Sequence, residues 1–266
     1  MVKRLLAALV GLAIVLPALI WGGELAVEII AGIAVLICCD EWATMAFPRR
    51  RWWALARMVP PSIAIYLAVL YGPEGTLALA LAGSAIWVLL STLFRAGPVD
   101  DAANTIGRLV LGLVYVPGLI VFIPLVRRLP DGLGWVFLML VITWLGDSGA
   151  YFAGRLFGKH KLYEKISPKK TWEGAIGGAL TAVAGAFIVR AVGMSQLTVL
   201  DCVLLGVIVD GFGVVGDLTE SMLKRSFGVK DSGWIMPGHG GILDRIDALL
   251  FTAPVLFLYC TLALGL

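Results

Sequence analysis

The chain has 266 residues, of which 60% are hydrophobic and only 15% are charged. Soluble domains carry roughly a quarter of charged residues, so this composition excludes a protein that is mostly exposed to water. The net charge of +3 is small and points to no particular partner. The four cysteines lie inside apolar runs and show neither metal-binding nor disulfide spacing, so we interpret them as small buried hydrophobic residues.

Repeated apolar runs of about 20 residues predict an all-α polytopic membrane protein. We expect about nine transmembrane helices, at residues 5–22, 25–46, 54–72, 75–95, 107–126, 134–153, 174–192, 196–216 and 246–265. The first run imitates a signal peptide, but another run follows at once and no small-residue cleavage site is evident. We therefore interpret it as a retained span. The pair Pro60-Pro61 is expected to interrupt the helical pattern of the third run.

The basic residues predict the orientation in the membrane, because cytoplasmic loops are enriched in Lys and Arg. A cytoplasmic N-terminus places all of the 21 basic residues except Arg127, Arg128 and Arg190 in the N-terminal tail, in cytoplasmic loops or at the span ends beside these loops. We therefore predict a multi-pass protein of the cell (inner) membrane with its C-terminus outside. Residues 1–133 hold the generic spans one to five. Residues 134–266 hold spans six to nine and the polar cytoplasmic loops 154–173 and 217–245.

Polar residues concentrate where spans eight and nine meet the cytoplasm. Asp217 lies where span eight reaches the cytoplasm and Asp244 lies where span nine leaves it, so two antiparallel neighbouring helices would bring these carboxylates together. Asp210, Asp217 and Lys224 recur every seven residues, and Ser221 follows Asp217 by four, which predicts one polar stripe. Simple interfacial charges are the alternative interpretation. A cluster of carboxylates near the hydrocarbon boundary more often marks function.

The residue types in this stretch suit phosphate chemistry assisted by a metal. Carboxylates without Cys or His partners favour Mg²⁺ over zinc, and Mg²⁺ often arrives with substrate phosphates. Four nearby cations are suited to neutralise such phosphates, namely Lys224, Arg225, Lys230 and Arg245. The turn Pro237-Gly238-His239-Gly240-Gly241 leads into a helix whose N–H groups can hold an anion. His239 either donates to a phosphate or fixes this turn, and both roles stay open.

The loop between spans six and seven repeats this chemistry. Asp147 ends span six, and the segment Ser167-Pro168-Lys169-Lys170-Thr171-Trp172-Glu173-Gly174 precedes span seven. Basic residues beside a span often serve only as topology determinants or attract anionic lipid. For Lys169 and Lys170 we favour substrate binding, because their neighbours indicate a shaped turn that enters a helix.

Together these residues resemble the phosphatidate cytidylyltransferase, or CDP-diacylglycerol synthase, family. The resemblance rests on the pattern Ser221-x-x-Lys224-Arg225-x4-Lys230-Asp231-Ser232-Gly233-x3-Pro237-Gly238-His239-Gly240-Gly241-x-x-Asp244-Arg245-x-Asp247. The segments Gly146-Asp147-Ser148-Gly149-Ala150-Tyr151 and 167–174 are similar to that family as well. The match covers roughly the C-terminal half of the chain.

The resemblance implies that CTP and phosphatidic acid react to give CDP-diacylglycerol and pyrophosphate in phospholipid biosynthesis. It implies Mg-dependent in-line attack of the lipid phosphate on the CTP α-phosphorus, and a paired metal centre on Asp217 and Asp244 with K⁺ as a candidate second ion. The candidate catalytic residues are then Asp217, Asp244, Lys224, Arg225 and Asp247. The candidate substrate-binding residues are Lys169, Lys170, Ser221, Lys230, His239, Gly240, Gly241, Arg245 and Asp147. The expected partners are CTP and membrane lipid and no nucleic acid, and a homodimer is left open.

Other classes of membrane protein stay open at this stage. A transporter would also carry intramembrane acids such as Glu28, Asp201 and Asp210, although it should show broken helices or related halves. A polyprenol or lipid kinase shares the setting, but it should hold a nucleotide-binding loop, and the chain has no Gly-x4-Gly-Lys-[Ser/Thr] run. A CDP-alcohol phosphotransferase should present several Asp residues on one helix near an Ala-Arg pair, and no such pattern is evident. A membrane interaction protein without catalysis would be recognised by its inactivity towards CTP and phosphatidate.

Overall fold

The structure, a computed structural model, describes residues 13, 15–95, 99–235 and 240–266. It is predominantly helical, as the sequence predicts. After a helical stretch at 15–21, the α-helices are α1 (Gly23–Ala46), α2 (Arg51–Tyr71), α3 (Thr76–Leu93), α4 (Ala102–Tyr115), α5 (Pro117–Ile120), α6 (Phe122–Arg128), α7 (Gly132–Phe157), α8 (Trp172–Val192), α9 (Val199–Ser226) and α10 (Leu243–Leu258). Short 3-10 turns at Pro48–Arg50 and Val99–Asp101 precede α2 and α4, and a π-helix at Tyr259–Ala263 continues α10.

Within the described residues, seven helical segments are long and apolar enough to cross a membrane. They correspond to the predicted spans three to nine and are Pro48–Tyr71, Thr76–Leu93, Val99–Arg128, Gly132–Phe157, Trp172–Val192, Val199–Ser226 and Leu243–Ala263. The predicted second span coincides with α1, which is not among the seven and carries four acidic residues, Glu24, Glu28, Asp40 and Glu41. Half of the first predicted span, residues 5–12 and 14, lies outside the described residues. The all-α polytopic class is confirmed, and the count of nine stays a prediction.

The expected interruption at Pro60-Pro61 is wrong, since α2 continues through both prolines from Arg51 to Tyr71. A proline removes one intrahelical hydrogen bond and crowds the preceding turn. Membrane-spanning helices tolerate this because neighbouring helices and side chains satisfy the freed backbone groups.

Two helices also extend further than their apolar runs. α7 runs to Phe157, and α9 runs to Ser226 although the predicted span ends at residue 216. Between α7 and α8 lies an antiparallel hairpin of β1 (Lys161–Tyr163) and β2 (Ser167–Thr171), in which Lys161 pairs with Thr171 and Tyr163 with Ser167. Many polar residues of the predicted loops 154–173 and 217–245 therefore lie on helices or strands.

Contacts divide the chain into two compact units. The first unit comprises Met1–Pro124 and Asp231–Arg245, and the second comprises Leu125–Lys230 and Ile246–Leu266. The division at residue 133 that the spans predict stays a prediction.

In the first unit, α4 approaches α1 closely, because Trp42 Nε1 donates a hydrogen bond of 3.0 Å to the carbonyl oxygen of Arg108. A Cβ at Gly112 would lie only 2.6 Å from that indole nitrogen, so glycine is required there.

In the second unit, small residues allow α7, α8 and α9 to pack with their backbones close together. A Cβ on Gly206 of α9 would lie 2.6 Å from the Cα of Val183 in α8. A Cβ on Gly178 of α8 would lie 3.0 Å from the carbonyl oxygen of Gly146 in α7. This close packing brings Asp147 of α7, the hairpin before α8 and Asp217 of α9 around one cavity.

Candidate active site

The second unit contains a cavity of about 240 Å³ that combines both polar segments singled out in the sequence. Its charged lining consists of Asp147 from α7, Lys169 and Lys170 from β2, and Asp217 from α9. The remaining walls include Tyr151, Leu162 and Val214 and are largely apolar. Two cations and two carboxylates thus face one small space with apolar walls, where electrostatic interactions are stronger than in bulk water.

Lys170 and Asp217 form an ion pair inside this cavity. The Nζ atom of Lys170 lies 2.6 Å from Oδ2 of Asp217, and the two side chains are 25% and 38% exposed. Ser221, one turn further along α9, donates a 3.3 Å hydrogen bond to Oδ1 of Asp217. Asp217 is therefore held between a cation and a hydroxyl group, and remains accessible from the cavity.

The β-hairpin is fastened to the start of α8, which fixes where Lys169 and Lys170 lie. Thr171 caps α8, because its Oγ1 accepts a 3.1 Å hydrogen bond from the amide of Gly174. The carboxylate of Glu173 accepts hydrogen bonds from the amides of Lys159 and His160 and lies 2.6 Å from Nδ1 of His160. The two lysines are consequently attached to a rigid helix terminus rather than to a loose loop.

The predicted polar stripe lies on α9, and it also includes Glu220, which was not among the predicted site residues. Lys224 forms an ion pair with Glu220, four residues earlier. Glu220 is buried, and the Lys224 side chain is only 11% exposed. This pair holds the Lys224 ammonium against α9, whereas Arg225 is exposed and donates a 3.3 Å hydrogen bond to the carbonyl oxygen of Val229.

Two further carboxylates lie near the cavity within the second unit. Asp210 is buried, and a Cβ on Gly146 of α7 would collide with its carboxylate, so the glycine makes room for the acid. Asp247 of α10 interacts electrostatically with Asp217, and α10 approaches α9 so closely that a Cβ on Gly216 would lie 2.6 Å from the carbonyl oxygen of Asp247. The seven-residue spacing of Asp210 and Asp217 predicted that these two acids share one face of the helix.

In the first unit, Asp244 organises the segment that precedes α10. Its Oδ2 atom accepts hydrogen bonds of 2.8 Å from the amide of Ser232, 2.7 Å from the hydroxyl of Ser232 and 2.8 Å from the amide of Gly241. Asp244 is buried. A carboxylate with several charge-assisted hydrogen bonds holds its surroundings firmly, so this side chain fixes the shape of the loop.

Glu41 of α1, which was not among the predicted site residues, holds the same segment from the other side. Its two carboxylate oxygens accept 2.8 Å hydrogen bonds from the amides of Ile242 and Leu243, and the Ser232 hydroxyl lies 3.3 Å from Oε2. Glu41 is only 2% exposed. A carboxylate at the free amides of a helix N-terminus satisfies donors that have no intrahelical partner. The available signal was an acidic residue at the end of the second apolar run.

The two glycines of the turn are required by this packing. Gly240 has a φ of +79°, in the left-handed region that favours glycine, and a Cβ there would also collide with the carboxylate of Asp244. A Cβ on Gly241 would collide with the Ser232 hydroxyl and the Glu41 carboxylate. The Gly-Gly turn is thus needed to bring the backbone close to two acids.

The remaining predicted site residues are either exposed or outside the described part of the chain. Lys230 and Arg245 are exposed, and His239 lies outside the described residues together with Met236, Pro237 and Gly238. Asp217 belongs to the second unit and Asp244 to the first, so their pairing stays a prediction. Glu41 and Glu220 had no place in the sequence prediction, and Ser232 entered it only as a member of the signature pattern and not as a site residue.

The donor chemistry of the cavity suits a magnesium ion that is shared with substrate. Among the described residues, no three His, Cys, Asp or Glu side chains are grouped so that they could hold a metal by themselves. Mg²⁺ is usually bound by one or two carboxylates together with substrate phosphates and water, rather than by a complete protein cage. The carboxylate of Asp217, accessible from a cavity that also contains lysines, fits an ion of that kind.

The fold defines a polytopic membrane protein, and its cavity combines two lysines with two carboxylates. A family model described as "Cytidylyltransferase family" matches residues 2–263. The chain is 34% identical to the phosphatidate cytidylyltransferase of Staphylococcus epidermidis (strain RP62A), over 95% of this chain and 96% of the relative. It is 36% identical to that of Pseudomonas aeruginosa (strain PAO1), over 95% and 94%, respectively. A match to the Bacillus subtilis (strain 168) enzyme of the same name is 44% identical over 60% of each chain.

This chain therefore belongs to the cytidylyltransferase family, and so to the nucleotidyltransferases. Family membership decides against the transporter, the kinase and the non-catalytic interpretations that the sequence left open.

Proposed function

We propose that this protein is a phosphatidate cytidylyltransferase, which converts CTP and phosphatidate into CDP-diacylglycerol and pyrophosphate. The observation that carries the proposal is the cavity in which Lys169 and Lys170 face Asp147 and Asp217. Relatives that align along 94–96% of their own length carry this enzyme's name. The cavity supplies the charges that two phosphate-bearing substrates require.

The proposed reaction needs charge neutralisation more than it needs a base. A phosphate oxygen of phosphatidate is already anionic at neutral pH, and it attacks the α-phosphorus of CTP in line. The new P–O bond joins the lipid phosphate to CMP, and the bond to the bridging oxygen breaks so that pyrophosphate leaves. Repulsion between the anionic substrates is the main obstacle, and fixed cations at the site reduce it.

In the proposed reaction, the charged residues of the second unit would neutralise and orient the substrate phosphates. Lys170 is oriented by Asp217 at 2.6 Å, so that its ammonium stays in the cavity. Lys169 lines the same cavity and adds a second positive charge. The apolar walls around these groups exclude water and strengthen their attraction to phosphate. Asp147 faces the same space and limits the excess of positive charge.

Asp217 and Asp244 would hold Mg²⁺, with K⁺ as a candidate second ion. When bound, the metal would neutralise negative charge on the triphosphate and on the leaving pyrophosphate. Around Asp244, the protein's own contribution is rigidity, since Ser232 and Gly241 fix one carboxylate oxygen by three hydrogen bonds. Such preorganisation avoids reorganisation during the reaction.

The proposed activity is tested with the full chain purified into lipid nanodiscs. Incubation with CTP, MgCl₂ and phosphatidate should yield CDP-diacylglycerol and pyrophosphate in equal amounts, and omission of either substrate should abolish both products. Formation of pyrophosphate without a nucleotide-bearing lipid would contradict the proposal, because it would indicate simple CTP hydrolysis.

The proposed orientation is that of a cell (inner) membrane protein whose active site faces the cytoplasm. Single cysteines placed at Lys161 and Val229 should then react with a membrane-impermeant thiol reagent only from the cytoplasmic side, and a cysteine at Gly75 only from outside. The native cysteines are buried and provide a low background. Labelling of positions 161 and 229 from outside would overturn the orientation, since cytosolic CTP could not reach the site.

The cations are expected to divide between the two substrates. Lys224 and Arg225 lie on α9 beyond Asp217 and should accompany the triphosphate, whereas Lys169 lies on the hairpin that enters α8. We expect Lys224→Ala and Arg225→Ala to raise the KM mainly for CTP, and Lys169→Ala mainly for phosphatidate. Loss of one charge-assisted contact costs roughly 1.5–3 kcal/mol, or about ten-fold to a hundred-fold in kcat/KM.

The matched control for this comparison is Lys165→Ala. Lys165 is exposed in the turn of the same hairpin and does not line the cavity. Its replacement should leave both KM values within about two-fold, as expected for a solvated surface charge. Equal effects of all three active-site substitutions on both substrates would indicate one shared phosphate site instead of two subsites.

A further inference from the structure

The first unit contains a basic cavity, which the proposed reaction does not use. It has a volume of about 450 Å³ and is lined by four arginines, Arg49, Arg50, Arg95 and Arg108. Among the described residues that line it, Asp101 is the only one with a carboxylate. A cavity of this size is within the range that holds small ligands, and its excess of positive charge calls for an anion.

Two of the arginines are held in place by the protein. Arg95, whose side chain is only 7% exposed, donates a 2.7 Å hydrogen bond to Thr105 and a 3.2 Å hydrogen bond to Asp101. Arg108 donates a 2.8 Å hydrogen bond to the carbonyl oxygen of Ala46. Side chains that are already ordered lose little entropy when they bind a ligand, which favours affinity.

The other two arginines lie at the rim and offer unused donors. Arg49 and Arg50 form the 3-10 turn between α1 and α2, and both are exposed. Neither makes an ion pair or side-chain hydrogen bond with any residue that the structure describes. The neighbouring Arg51, by contrast, is paired with Asp40 through hydrogen bonds of 2.8 and 2.7 Å and does not line the cavity. Guanidinium groups bind phosphate through paired N–H donors.

An apolar groove of about 380 Å³ adjoins this cavity, and both share Arg95. The groove runs between α3 and the start of α4 and is lined mainly by Leu89, Leu90, Leu93, Val99, Ala102 and Ile106. Leu89, Leu90, Leu93 and Val99 are exposed, and all four lie on helical segments that are long and apolar enough to cross a membrane. The combination of an arginine pocket with an apolar groove is complementary to an amphiphile that carries an anionic head and a hydrocarbon chain.

We propose that the first unit binds one anionic phospholipid, with its phosphate between Arg49, Arg50 and Arg108 and an acyl chain in the groove beside Arg95. The basic residues of this region are on the side that the charge distribution assigns to the cytoplasm, where anionic lipid headgroups attract arginines. The exposed Trp52, next to the rim, is of the type enriched at the membrane interface. This site goes beyond the proposed reaction and does not depend on it.

The site is tested by native mass spectrometry of the detergent-purified full chain with added phosphatidylglycerol or phosphatidylcholine. Phosphatidylglycerol is anionic but is not a substrate of the proposed reaction, so failure here is separate from failure of the proposed function. We expect one phosphatidylglycerol to be retained in preference to phosphatidylcholine. The double variant Arg49→Ala/Arg50→Ala should weaken its binding by at least about ten-fold, since each arginine near a membrane surface contributes about 1 kcal/mol. Arg51→Gln is the matched control and should bind like the wild type.

The groove is tested in the same assay with a pair of identical substitutions on neighbouring residues. Ala102→Trp would fill the groove, whereas Ala103, which is exposed and outside the groove lining, accepts the same change as a control. We expect Ala102→Trp to weaken phosphatidylglycerol binding by about ten-fold or more and Ala103→Trp to leave it unchanged. Melting temperatures of all variants establish that they are folded.

Three outcomes would overturn the proposal. Equal retention of both lipids would show that no anion-selective site exists. Equal losses in Arg51→Gln and the double variant would indicate diffuse surface charge. If inorganic phosphate displaces the lipid and Ala102→Trp has no effect, the pocket binds a free anion and the groove does not hold an acyl chain.

Discussion

Replacement of Asp217 by asparagine is expected to lower CDP-diacylglycerol formation by about 10²- to 10³-fold, the usual size of a lost electrostatic contribution to catalysis. The amide keeps the shape of the side chain, but it removes the charge that would hold Mg²⁺ and that pairs with Lys170 at 2.6 Å. Asp244→Asn should have an effect of similar size, because it also weakens three hydrogen bonds to Ser232 and Gly241. Initial rates are measured across a titration of Mg²⁺ in nanodiscs.

Asp201→Asn is the matched control for this experiment. Asp201 lies on the same helix as Asp217, but at its N-terminal end, where it accepts a 2.7 Å hydrogen bond from the amide of Thr198 and one of 2.6 Å from the hydroxyl of Tyr259. Its loss should lower thermal stability, as expected for a damaged helix cap, and should leave turnover nearly unchanged. Near-normal turnover of Asp217→Asn at limiting Mg²⁺ would show that the metal assignment is wrong.

Glu41→Gln is expected to lower activity by about a hundred-fold, although Glu41 lies about 200 residues from the signature in sequence. The carboxylate accepts hydrogen bonds from the amides of both Ile242 and Leu243. Glutamine offers only one acceptor atom, so its NH₂ group would face one of these N–H donors. A buried donor left unsatisfied costs about 1–3 kcal/mol, and a displacement of about 1 Å at a catalytic segment can cost a hundred-fold in rate. Turnover and thermal unfolding are measured on the same preparation.

Asp40→Asn is the control for Glu41→Gln, because it makes the equivalent change at the adjacent residue. Asp40 pairs with Arg51, and the two side chains are 26% and 34% exposed. Such partly exposed pairs contribute at most about 1 kcal/mol, so turnover should stay close to that of the wild type. If Asp40→Asn lost as much activity as Glu41→Gln, the effect would reflect general damage to α1 and not the anchoring of the loop.

Periodicity was the most informative sequence signal for the site. The spacing of Asp210, Asp217, Ser221 and Lys224 predicted one polar stripe, and α9 carries all four residues on a continuous helix. The sequence also assigned chemistry to both polar segments, and Lys170 and Asp217 do line the same cavity. Helical repeats are local, and a regular backbone converts them directly into a shared face.

Contacts between residues that are far apart in the sequence could not be predicted from periodicity. Glu41 contacts Ile242 and Leu243, and no local pattern links an acid in one apolar run with a turn near the other end of the chain. Glu220 is local to the stripe, but its pairing with Lys224 depends on burial, which spacing alone does not define. Short strands such as Lys161–Tyr163 also escape detection, since a few residues carry too little alternation to predict a hairpin.

The end of an apolar run proved to be a poor guide to the end of a helix. α9 continues for ten residues beyond the predicted boundary at 216, up to Ser226. Hydropathy reports where a segment can leave the hydrocarbon region, whereas the backbone hydrogen bonds of a helix continue through polar residues. Asp217 and Lys224 are therefore presented by a rigid helix, which suits a catalytic site better than a loop does.

Cytidylyl transfer is tested by following the phosphorus atoms of CTP into the products. The full chain in nanodiscs is incubated with phosphatidate and CTP labelled with ³²P at either the α or the γ position. A cytidylyltransferase transfers the α-phosphorus with the nucleotide, so the α-label should enter the lipid fraction and the γ-label should appear in pyrophosphate. Entry of the γ-label into lipid would indicate a lipid kinase and would contradict the proposed cytidylyl transfer.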